Sequence, residues 1–86
     1  MHKENKMEIK ILGGGCPKCE RLEALAREVA GELGIEAQFT KVKEMSKIMA
    51  YDVMTTPALV VDERVMSSGR IPTREEVRAW LEAASR

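Results

Sequence analysis

Cysteine is scarce in this sequence: two in 86 residues, at Cys16 and Cys19. A disulfide between positions so close would close too small a loop to constrain the unfolded chain much, which excludes a disulfide-stapled scaffold. The cysteines therefore matter for chemistry. Charge of one sign is missing as well, with 14 Lys and Arg against 14 Asp and Glu. A nucleic-acid partner, which needs a basic surface to displace counterions, is not expected. Long apolar runs are absent too. The longest, Ala58-Leu59-Val60-Val61, is far short of a membrane span, so no membrane association is expected. The first fifteen residues carry Lys3, Glu4, Lys6, Glu8 and Lys10 with no apolar stretch of a secretory signal, which makes the cytoplasm the expected location. Side-chain amides are reduced to Asn5 and Gln38, and Asp52 and Asp62 are the only aspartates, a bias that leans towards a thermophilic source.

What is present fits one soluble globular domain: 44% apolar and 33% charged residues. A chain of this length buries only roughly 60–65% of its unfolded surface, so every apolar position counts. Residues 1–6 are polar and aperiodic and read as a flexible N-terminal arm, leaving 7–86 as a single domain.

Met7 to Leu12 places apolar residues at Met7, Ile9 and Ile11, the period of a strand, and Gly13-Gly14-Gly15 ends it. From Pro17 the period becomes helical, with Leu22, Leu25, Ala26, Val29, Ala30 and Leu33 on one stripe and Cys19 a turn before them. Pro17 suits a first helical position and Gly34 a stop, which predicts a helix over 17–33. A strand is expected over 36–41 and a short helix over 43–50, with Met45, Ile48 and Met49 on one side. Ala58–Val61 reads as a buried strand and Asp62-Glu63 as a two-residue turn into a strand over 64–67. Ser68 to Pro72 reads as a loop. Thr73-Arg74-Glu75-Glu76 has the capping-box pattern and opens a last helix with Val77, Trp80, Leu81 and Ala84 inward. The order is β-α-β-α-β-β-α. It predicts an α/β fold with a four-stranded mixed sheet and helices on both faces.

A thiolate is the species that attacks disulfides, and a helix N-terminus lowers a thiol pKa through unsatisfied N–H groups and the positive dipole end. Cys16 has that position at the edge of the 17–33 helix, and Lys18 adds a cation nearby. Cys16 reads as the exposed attacking thiol, and Cys19, one turn deeper on the apolar stripe, as the buried resolving thiol. Tyr51 and Trp80 read as packing residues. Met45, Met49 and Met54 read mainly as core or rim, with Met54 placed best to touch a partner. Glu20, Arg21, Glu23, Arg27 and Glu28 read as a solvated helix face.

Cys16-Pro17-Lys18-Cys19 at a helix start, together with Thr56-Pro57 opening the third strand, resembles the thioredoxin-like superfamily. The likeness is greatest to its very small, glutaredoxin-like redox-active disulfide proteins. Gly13-Gly14-Gly15-Cys16, Pro57-Ala58-Leu59-Val60-Val61-Asp62 and Ser68-Gly69-Arg70-Ile71-Pro72 also match their segments. The resemblance implies a thioredoxin-like fold with Pro57 cis beside the cysteines. It implies a substrate-binding rim made by Gly15, Thr56, Pro57 and Gly69. It implies a thiol-disulfide oxidoreductase, catalytic through Cys16 and Cys19, with Pro17 and Lys18 favouring the thiolate. The expected partners are disulfide-containing protein substrates and an electron-donating reductase. No metal or organic cofactor is expected, and the chain should act as a monomer. Two departures stand out. Gly15 occupies the place of the usual Trp. Lys10 stands where many thioredoxins carry a buried Asp, so water or a neutral Lys10 is expected to move the proton of the resolving thiol. Glutathione dependence is not implied, because Ser67-Ser68-Gly69-Arg70 lacks the glutaredoxin pattern. The alternative is a soft-metal-binding C-x-x-C carrier, in which two thiolates hold Cu(I). Such carriers follow the order β-α-β-β-α-β.

Overall fold

Alternating burial along the first strand sorts the whole molecule into two faces. The computed structural model describes residues 7–13 and 17–85. Its first strand, β1 (Met7–Leu12), sends Met7, Ile9 and Ile11 into one apolar cluster and Leu12 into a second. It pairs parallel with β2 (Ala37–Val42) and antiparallel with β3 (Ala58–Val61). β3 in turn pairs antiparallel with β4 (Arg64–Ser68), giving the order β2-β1-β3-β4. All four residues of β3 are buried, Leu59 and Val61 towards one face and Ala58 and Val60 towards the other. A four-residue apolar run without alternation is what a strand covered on both faces requires.

The larger cluster lies under α1 (Pro17–Leu33) and α3 (Arg74–Ala84), which bring Cys19, Leu22, Ala26, Val29, Val77 and Leu81 against Ile9, Ile11, Leu59 and Val61. Arg74 joins the two helices through ion pairs to Glu28 and Glu32, bracing the helix that carries Cys19. The smaller cluster lies under α2 (Met45–Met49) and the turn after it, with Ile48 and Val53 on Leu12, Ala58 and Val60.

The α1 bounds coincide with the reading of the sequence, and Gly34 at φ 68 closes that helix. β2 sits one residue later than expected, β4 runs one further, and α2 is shorter. The expected side of α2 is corrected more substantially. Ile48 alone is buried there, and Met45 and Met49 are exposed, because one turn and a half of helix offers a single position to the sheet. Asp62 and Glu63 form the two-residue turn, both at positive φ as the favoured hairpin turn demands.

Candidate functional site

Three chain segments converge at the C-terminal end of β1. Pro17 opens α1 with its ring exposed, Lys18 is exposed beside it, and Cys19 turns inward to 5% exposure. Gly13, immediately after β1, touches the side chain of Cys19. A Cβ built on Gly13 would collide with Cys19 Sγ and lie 3.4 Å from Thr56 Cβ. Gly13 also has φ 145, a backbone region L side chains rarely adopt. Its amide donates to the Val42 carbonyl at 2.9 Å, which ties this corner to the end of β2. Only a glycine lets the strand end, the Cys19 side chain and the Thr56 segment meet so closely.

The third segment is Met54-Thr55-Thr56-Pro57. Thr55 and Thr56 are exposed, Pro57 is buried, and the Thr56-Pro57 bond is cis. Gly69 holds this loop from β4: its amide donates to the Pro57 carbonyl at 2.9 Å, and at φ 78 its Cα lies against the Thr55 side chain. The structure thus brings Cys19, Thr56, Pro57 and Gly69 to one corner. Cys16 and Gly15, named from the sequence, lie outside the described residues.

Two charged residues depart from the sequence reading. Lys10 is not a neutral proton carrier for Cys19. Its Nζ lies 2.6 Å from Glu63 Oε2 and donates to Tyr51 Oη at 2.8 Å. The hydrogen bonds to Glu63 first, and then to Tyr51, raise its pKa, so it stays charged. Its pairing with Val60 also puts it on the α2 face, whereas Cys19 packs on the face of Ile9 and Ile11. Glu23 is not simply a solvated helix residue. Its side chain is 16% exposed and shares a small cavity with Cys19, Gly13 and Lys41. Sequence reading took Gly13 only as part of the glycine run and Glu23 only as a solvated helix residue, and so missed how closely both approach Cys19. The available signals were the start of the glycine run and the four-residue spacing from Cys19 to Glu23.

α2 stands between β2 and β3, the position where the soft-metal carrier order has no helix. The profile of the thioredoxin domain family matches residues 7–82. A thioredoxin from Methanothermobacter thermautotrophicus is 43% identical over 75 residues, covering 87% of this chain and 97% of that protein. The chain belongs to the thioredoxin family. A thioredoxin from Methanocaldococcus jannaschii is 35% identical over 75 residues, 87% of this chain and 86% of that protein. Among solved structures, a mutant thioredoxin from Halobacterium salinarum superposes with a TM-score of 0.70 at 18% identity, covering 95% of this chain and 77% of that one. The fold is thioredoxin-like, and family membership carries the general kind of reaction, thiol-disulfide exchange. Thioredoxins as a class reduce disulfide substrates and are themselves reduced by a reductase. Among the described residues, no helix is long and apolar enough to cross a membrane.

Proposed function

We propose that this thioredoxin-family chain reduces protein disulfides through a Cys16/Cys19 dithiol couple. Cys16 directly precedes α1 in the sequence and is the attacking thiol; Cys19 resolves. The Cys16 thiolate attacks a substrate disulfide, forms a mixed disulfide and releases one substrate thiolate. Cys19, once deprotonated, attacks Cys16 Sγ; the Cys16–Cys19 bond forms as the bond to substrate breaks, and the second substrate thiolate departs. Two electrons pass to the substrate, and a reductase must return them. Lys18, Pro17 and the N-terminus of α1 favour the attacking thiolate. Gly15, Thr56, Pro57 and Gly69 shape the docking rim, and the reducing cytoplasm is the setting in which a dithiol of this kind works, as a monomer. The soft-metal carrier gains no support from the element order.

The observation that carries this reading is buried Cys19 packed against Gly13, with Thr56 close to the same side of that glycine and Pro57 next along the loop. Alkylation at neutral pH should label Cys16 well before Cys19. Cys19→Ser should trap mixed disulfides with a disulfide-bonded test protein, because the resolving thiol is gone. Equal labelling of both thiols, or no trapped adduct, overturns the assignment of roles.

A further inference from the structure

Cys19 can attack only after losing a proton, and at 5% exposure it has little direct contact with solvent to receive it. Lys10 is committed to Glu63 on the other sheet face. One small cavity does reach Cys19. It measures about 10 Å³, at the lower limit for holding a single water, and is lined by Ile11, Gly13, Cys19, Glu20, Glu23 and Lys41.

Glu23 is the sheltered acid of this cavity. It follows Cys19 by four residues, one turn along the same face of α1. Its Oε2 accepts from Arg27 Nε at 3.0 Å and pairs with Arg27 Nη2 at 3.0 Å, while its Oε1 lies 3.2 Å from Lys41 Nζ. Lys41 pairs with Ile11 across the strands, which sets it on the sheet face that α1 covers. The groups facing Glu23 are therefore Arg27 and Cys19 on its own helix, exposed Glu20 at the cavity, and Lys41 from β2; β1 and its end contribute Ile11 and Gly13. The two cations fix the carboxylate at the cavity wall.

We propose that Glu23 accepts the Cys19 proton, through one water in this cavity, as Cys19 resolves the mixed disulfide. The proposal rests on the Cys16/Cys19 reading above. The Cys19 S–H bond breaks as the Cys16–Cys19 bond forms and the Cys16–substrate bond breaks. Two electrons go to the substrate sulfur, and the proton passes from Glu23 to the departing thiolate or to solvent. Burial pushes the Glu23 carboxyl up, but hydrogen bonds from Arg27 and Lys41 outweigh that and hold it below the usual carboxylate value. It is thus an anion throughout the neutral range. As a weak base it holds the proton only during the attack, which is general-base assistance.

The test uses the reduced full chain and equimolar dithiobis(nitrobenzoate), whose two thionitrobenzoates leave in sequence, one on Cys16 attack and one on Cys19 resolution. In Glu23→Gln the second phase should slow tenfold or more relative to the first at neutral pH. It should also rise about tenfold per pH unit below the thiol pKa, because unassisted attack follows the thiolate fraction. A Glu23 that acted only through its charge gives the opposite sign, since removing a neighbouring anion eases thiol ionisation. A second phase that is unchanged or faster overturns the proposal. If Glu23→Gln does not fold, the native chain decides: a second phase nearly flat between about pH 6 and pH 8 supports assistance, and a tenfold rise per unit overturns it. Release of a single thionitrobenzoate by the native chain overturns the dithiol reading itself.

Discussion

Gly13 shows how one missing side chain sets the geometry of the corner. Gly13→Ala places a Cβ where Cys19 Sγ sits and forces an L residue to φ 145. Overpacking of this sort costs about 1–3 kcal/mol, with backbone strain added. The expected result is a lower thermal midpoint together with altered Cys19 alkylation; a variant with native midpoint and native Cys19 reactivity contradicts the packing described here. Lys10 supplies the converse case. Its pKa is raised by hydrogen bonds to Glu63 and Tyr51, so its contribution to stability is fully present below its unfolded value, 10.5, and is lost only as pH rises through the folded value. Lys10→Met should flatten the alkaline end of the stability profile and leave Cys19 resolution intact, because Lys10 faces α2. A resolution rate that fell tenfold in Lys10→Met would return the residue to the thiol chemistry. The strand period already assigned Lys10 to the face opposite Ile9 and Ile11. What the period did not reveal was that the helix carrying Cys19 packs on the Ile9–Ile11 side.

At the scale of elements, α3 is held at its start by reciprocal hydrogen bonds. The Glu76 amide donates to Thr73 Oγ1 at 3.1 Å, and the Thr73 amide donates to Glu76 Oε1 at 2.9 Å. Arg70 clamps the same carboxylate through two nitrogens at 2.9 and 3.1 Å. Arg70 first, and then the Thr73 amide, lower the Glu76 carboxyl from 4.5 to about 2. A depressed carboxyl contributes stability that is present above its unfolded pKa and is lost as pH falls through the folded one. Glu76→Gln should therefore destabilise the chain at neutral pH, and its deficit should shrink between about pH 4.5 and pH 2. Thermal midpoints of both proteins across that range check this; a deficit independent of pH contradicts it. Thr73→Ala should cost about 0.5–2 kcal/mol at any pH, read from denaturant midpoints. This cap was legible in four consecutive letters, as was α1, bounded by Pro17 and Gly34. α2 was not. Glu44 makes no side-chain cap, and a five-residue helix with one buried position has no period to read. Glu23 escaped for a related reason: on α1 alone it sits beside solvated neighbours, and the cavity beside it is closed by Lys41 from β2 with Ile11 and Gly13.

For the whole molecule, one sheet separates two chemistries. The α2 face carries the Lys10–Tyr51–Glu63 cluster, and the α1/α3 face carries Cys19 with Glu23 and Lys41. Ion pairs from Arg74 and Arg78 to Glu28 and Glu32 hold α3 against α1, the helix that carries Cys19. Met54 projects from that loop at 91% exposure, an apolar group beside the proposed docking rim. The central claim is that Cys16 and Cys19 act as one two-electron couple. Equilibrating the chain across defined ratios of reduced to oxidised dithiothreitol and counting protein thiols, with and without Cu(I) or Zn(II), tests it most directly. The account predicts that both thiols disappear together in one transition, with about 30 mV per tenfold change in the thiol–disulfide ratio and weak metal binding. Tight stoichiometric metal binding with no accessible disulfide, or two thiols that oxidise independently, would contradict it.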